Sequence, residues 1–226
     1  MKQKNNVMNL RIKIPARGLF HFAIPCYFQD PLWNEEGAVL SERHRLPNLL
    51  QVDNISYRVE AYAGWNDKGF AMRFRVFDQL MVSRLESGAG GASISIWINT
   101  RAAQDIHRAT RYCHWFEIQP MGNRKGDRQT RIVWRAIPKA REAPNALPPQ
   151  STQARVSVAP DMQSYITDVL FTREALTGFD PREHPRMGFN FEIKSPGHEA
   201  VSFSVGHPLP YGEDPSLWVT LDMVES

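Results

Sequence analysis

The sequence predicts an all-β fold, two antiparallel sheets packed as a jelly-roll-type β-sandwich with minor helical turns. Three observations predict it. Apolar and polar residues alternate with period 2 in segment after segment, the pattern of half-buried strands. The 226 residues include 16 prolines and 14 glycines, which suits short strands joined by turns better than a helical bundle. No unit of about 20–50 residues recurs, which excludes a propeller or solenoid.

The elements follow in order. Leu10–Ile14 and Leu19–Tyr27 read as strands. Ile55, Tyr57, Val59 and Ala61 interleave with Ser56, Arg58 and Glu60, and Phe70, Met72, Phe74 and Val76 return after the turn Trp65–Gly69, where Gly69 suits a positive φ. The glycine-rich link Ser87–Gly91 lacks the spacing and following helix of a phosphate-cradling loop, and leads into the strand of Ile94, Ile96 and Ile98. Thr100–Thr110 is a loop or one to two helical turns. Tyr112–Ile118 and Arg131–Ile137 are strands, separated by the Pro-rich surface excursion 138–150 from Arg155–Val158 and Tyr165–Phe171. Thr172–Gly178 is a short helical turn with Thr172 as N-cap and Gly178 past its end. Met187–Ile193, Val201–Val205 and Leu217–Met223 complete about eleven strands. The whole chain, 1–226, reads as one sandwich domain.

Composition excludes several classes. A net charge of +3 with Arg and Glu interspersed gives no basic stripe, so nucleic acid is not expected as a partner. No apolar run reaches the ~18–20 residues that span a bilayer, so no membrane partner is expected. The basic start Met1–Asn6 is followed by Arg11, Lys13 and Arg17 where a signal peptide would be apolar, and the expected location is therefore cytoplasmic. Cys26 and Cys113 sit in aromatic-rich stretches and are expected as buried, reduced thiols, with a single bridge or a reactive thiol as the alternatives.

Four segments, in this order, carry a family resemblance: the hairpin Ala63–Phe70, the strand Ile94–Arg101, the strand Tyr165–Phe171, and Arg186–Ile193 with Trp218 near the end. From about Ile55 onward the chain resembles the carbohydrate-binding module family 9-like domains, and within them a bacterial subgroup. The resemblance implies a β-sandwich, structural calcium in some members, and a sugar clamped between two Trp rings. The chain departs from the family where an acidic Asp-Ser-x-Glu stretch is replaced by Ala92-Ser93-Ile94-Ser95. That departure removes the carboxylate through which calcium or sugar would be held, and the two clamping tryptophans have no assigned positions.

The chemistry-bearing candidates cluster in Asn99–His114. If its middle is helical, Arg101, Asp105 and Arg108 share one face, and His107 lies next to Arg111. Arginine forks hold carboxylates and phosphates in bidentate pairs, so a pocket for an anionic or hydroxyl-rich ligand is one reading. The other is a structural network in which Asp105 and nearby carboxylates neutralise the arginines. His107 and His114 match no common zinc spacing, and His21, His44, His184, His198 and His207 are scattered, so no metal site is expected. Trp97 shares a strand face with Ser95 and Asn99, and Trp218 with Thr220 and Asp222, as sugar-stacking rings would. Against that, each could cover an edge of the core. Trp65 lies at a hairpin tip, and Trp115 and Trp134 read as core.

The candidate ligand-binding residues are therefore Trp97, Asn99, Arg101, His107, Arg108, Arg111, His114 and Trp218. No Gly-x-Ser-x-Gly elbow, His-Glu-x-x-His helix or Walker loop is present, which favours a non-catalytic protein with no cofactor beyond the calcium that the resemblance implies. The expected function is a carbohydrate-binding-module-like domain for a sugar or other polyol. The alternatives are a structural or protein-interaction sandwich without a sugar site, and an enzyme using the Arg/His segment 101–114.

Overall fold

The computed structural model describes residues 23–49, 59–88, 91–120, 129–206 and 209–225. The strand expected over 10–14, the start of 19–27, the hairpin residues Ile55 and Tyr57, and His21 and His207 lie outside them. Thirteen strands are described: β1 Ala23–Phe28, β2 Trp33–Asn34, β3 Gly37–Ala38, β4 Val59–Asn66, β5 Gly69–Val76, β6 Ser93–Asn99 and β7 Cys113–Gln119. The rest are β8 Arg131–Arg135, β9 Thr152–Val158, β10 Tyr165–Thr172, β11 Arg186–Lys194, β12 Val201–Ser202 and β13 Val219–Val224.

Alternation and turn chemistry locate most of these elements, but the sheet differs from the expected pair. One 11-stranded sheet runs β8-β7-β6-β11-β13-β1-β4-β5-β10-β9, with β12 on β11, and β2 and β3 form a separate small hairpin. The cause is β1. Ala23–Tyr27 pairs in parallel with Thr220–Val224 of β13, then Tyr27 and Phe28 pair in parallel with Gly64 and Trp65 of β4. One strand thus joins what would be two leaves, and the sheet is mixed rather than antiparallel. Period-2 patterning reports which face a side chain takes and says nothing of the neighbour's direction.

The sheet curls until it is nearly a barrel. Phe74 of β5 meets Phe191 of β11 at 5.1 Å between ring centroids, and Phe116 of β7 meets Phe171 of β10 at 4.5 Å. These strands are far apart in the pairing order, so the rings touch across an enclosed core. Ile94, Ile96 and Ile98, expected as one apolar row, point into it. Burying each such side chain contributes about 1.5–3 kcal/mol, and the aromatic pairs add to that.

Three local features differ from expectation. Gly69 closes the hairpin without a positive φ; a Cβ there would collide with the Phe171 carbonyl oxygen, so close approach of β10 is what requires glycine. The stretch after Val76 contains a helix, α1 (Gln79–Ser87), capped by the Asp78 carboxylate accepting from Met81 N–H at 3.0 Å and closed by left-handed Gly88. Residues 100–110 form turns rather than a helix, so Arg101, Asp105 and Arg108 do not line one helical face.

Candidate functional site

β6 ends at Asn99, and the chain crosses one end of the sheet before re-entering at Cys113. This crossing meets the 172–178 turn, a 3-10 turn over Arg173–Ala175 followed by Gly178 at φ +75°. Thr100 Oγ1 donates to the Thr177 carbonyl at 2.8 Å, and Arg101 Nη1 donates to the Gly178 carbonyl at 2.6 Å. The Tyr112 ring lies against Gly178, where a Cβ would come within 2.8 Å of it. The Arg101 guanidinium stands 4.4 Å from the Tyr112 centroid and that of Arg111 5.1 Å, within cation–π range.

Beside this stack opens a cleft of about 460 Å³, lined by Asn99, Arg101, Ala103, Ile106, Thr110, Arg111, Tyr112 and Glu142. Arg111 Nη2 donates to the Tyr112 hydroxyl at 3.0 Å, and this bond lowers the phenol's pKa below its ordinary value. Asn99 is buried; its Oδ1 accepts from Arg101 N–H at 3.1 Å, while its Nδ2 has no partner. A buried amide donor left open costs about 1–3 kcal/mol, so its position at a cleft is informative. Chemically, the cleft offers guanidinium forks, one carboxylate, a carboxamide and a phenol beside the apolar Ile106.

The structure brings three of the expected residues, Asn99, Arg101 and Arg111, into this cleft and sends the other five elsewhere. His107 is exposed, its Nδ1 3.1 Å from both Asp214 Oδ2 and Ser216 Oγ. Arg108 Nε donates to the Lys139 carbonyl at 2.8 Å. His114 is buried inside the sheet with its ring parallel to Phe116, and desolvation pushes its pKa down to about 4.

Trp97 and Trp218 are 3% and 2% exposed and belong to a second apolar cluster with Ala109, Cys113, Ile137, Val205 and Tyr211. Trp97 stacks on Trp115 at 5.5 Å and meets the Tyr211 edge at 5.8 Å, and Trp218 Nε1 donates to the Tyr211 carbonyl at 2.7 Å. Neither ring offers an open face for stacking a sugar, because Val205, Leu209 and Tyr211 pack in the same cluster against them. Trp65 is likewise core: it is buried, and its Nε1 donates to the Cys26 carbonyl at 2.8 Å.

Of the alternative reading, in which Asp105 and nearby carboxylates neutralise the arginines, the Asp105 part is not seen: among the described residues it makes no salt bridge with Arg101, Arg108 or Arg111, while Glu142 lines the cleft beside Arg111. Ala103, Ile106, Thr110, Tyr112 and Glu142 are cleft residues that the sequence candidates did not include. Tyr112 was legible as a ring beside Arg111. Glu142 had no signal, because it lies in the Pro-rich excursion that joins the site through Arg141 N–H to Ala109 carbonyl at 2.7 Å.

Among the described residues no three His, Cys, Asp or Glu side chains gather as a metal site, and the buried Asp168 carboxylate is taken by Arg73 Nε and Nη2 at 2.7 and 3.0 Å. Both cysteines are buried and unbridged. Among the described residues no helix is long and apolar enough to cross a membrane.

No protein-family model matches the chain, and neither does any curated protein. Among solved structures, it is similar to a carbohydrate-binding module of family 9 from Caldicellulosiruptor kristjanssonii in complex with cellotriose, with 10% identity and a TM-score of 0.58. That match covers 91% of this chain and 95% of the other. The glucose complex from the same organism matches at 10% identity and a TM-score of 0.59, covering 91% of this chain and 97% of that one. At such identity the likeness is one of fold.

Proposed function

We propose that this chain is a carbohydrate-binding-module-like domain, without catalytic machinery, that holds a sugar or similar polyol in the cleft beside Tyr112. The observation that carries the reading is the grouping of Arg101, Arg111, Asn99 and Glu142 around one phenol at the end of the sheet. Hydroxyl-rich ligands are held by planar polar side chains that donate and accept in fixed directions, while an apolar or aromatic wall covers their C–H faces. Ile106 and Tyr112 supply that wall. The fold likeness to modules solved with cellotriose and glucose supports the same ligand class.

The burial of Trp97 and Trp218 favours a second reading, an interaction domain that kept the fold without a sugar site. Calorimetry of the full chain against neutral and acidic oligosaccharides separates the two. Binding that weakens about tenfold in Tyr112→Ala supports the cleft, since one well-placed ring and hydroxyl contribute about 1–2 kcal/mol. No binding by any sugar leaves the interaction domain.

A further inference from the structure

We infer that the cleft selects a carboxylate-bearing sugar, a uronate, over neutral sugars; the inference rests on the cleft reading and names its ligand class. Two guanidiniums line the cleft against one carboxylate, Glu142. Their charge is not consumed by Asp105, and Arg111 is exposed, with Nη2 on the Tyr112 hydroxyl and no partner described for Nε and Nη1. Arg101 is held by the Thr100 and Gly178 carbonyls at 3.2 and 2.6 Å, which fixes its plane over the ring without neutralising it. Asn99, whose buried Nδ2 has no partner, also lines the cleft.

A carboxylate matches this set. It is planar, accepts two parallel N–H bonds from a fork, and has acceptor capacity left for an amide. A neutral pyranose satisfies the forks only through hydroxyls, whose bonds to a charged donor are weaker than those of an oxyanion. Charge separates the candidates here, because shape alone would admit both.

The test is calorimetry of the full chain with trigalacturonate, its methyl ester and cellotriose, using the wild type, Arg111→Ala, Glu142→Gln and, as a charge control on the distant edge strand β9, Arg155→Ala. The expected result is acid bound about tenfold or more tighter than its ester, the size of a charge-assisted pair. Arg111→Ala removes most of that preference, Glu142→Gln increases it, and Arg155→Ala leaves it in place. Equal affinity for acid and ester overturns the inference while the cleft reading stands. A preference lowered alike by Arg111→Ala and Arg155→Ala also overturns it, since the whole-molecule charge would then be the cause. Binding of none of the three overturns both.

Discussion

The Arg101 guanidinium lies 4.4 Å from the centre of the Tyr112 ring while its Nη1 is bonded to the Gly178 carbonyl at 2.6 Å. The ring is thereby held between a cation and the backbone of a turn 66 residues further along the chain (178 minus 112). Its position depends on Gly178 having neither a Cβ nor a negative φ.

Gly178→Ala should therefore damage fold and cleft together. The residue sits at φ +75°, and a Cβ would stand 2.8 Å from the Tyr112 ring and 2.9 Å from Arg101 Nη2. A loss of about 1–3 kcal/mol in urea denaturation is expected, from the left-handed backbone and the displaced ring combined. Unchanged stability would show that the ring has slack.

Arg73→Ala should be more costly. Asp168 of β10 stands directly opposite Arg73 of β5, is buried, and takes both bonds of the guanidinium fork. Removing the cation leaves a desolvated carboxylate, and breaking such a pair costs roughly 3 kcal/mol. The check is the urea midpoint at constant m-value.

Acid should destabilise the protein through His114. Its folded pKa is depressed to about 4 by burial, below the unfolded value near 6.5. Above pH 6.5 the imidazole is neutral in both states and its contribution is complete. As pH falls from 6.5 towards 4, the unfolded chain takes a proton that the folded chain refuses, and up to about 3 kcal/mol is lost. His44 shifts in the same direction, also by desolvation. His114→Gln should flatten the slope of stability against pH across that window whatever its effect at neutral pH; an unchanged slope contradicts the assignment.

Both thiols should react slowly with a labelling reagent until the chain unfolds. Cys26 and Cys113 are each 1% exposed, and burial raises both pKa values, so thiolate is scarce as well as inaccessible. Native labelling of both at the rate of the unfolded chain would contradict the packing.

These effects show where the sequence was informative. Alternation in Phe70–Val76 and Met187–Ile193 reads out which residues face the main core, although in Met187–Ile193 the residues between them are buried too. The direction in which β1 pairs left no such trace, since parallel and antiparallel neighbours bury the same alternate residues. Helix α1 is not legible in the sequence, where its apolar stripe is thin and its closing Gly88 reads as part of a glycine-rich link. The tryptophans misled for a specific reason: Trp97 faces away from the main core as read, but the segment carrying Tyr211 and Trp218 folds over it. Which loop covers an outer face is a long-range outcome that no local pattern records.

A crystal structure of the chain grown with trigalacturonate or cellotriose tests the central claim most directly. The account predicts sugar in the cleft within hydrogen-bonding distance of Arg111 and the Tyr112 hydroxyl, with Asn99 Nδ2 acquiring a partner and Trp97 and Trp218 still covered. Sugar stacked on an uncovered Trp97 or Trp218, or bound on any surface that leaves the Tyr112 cleft untouched, would contradict it.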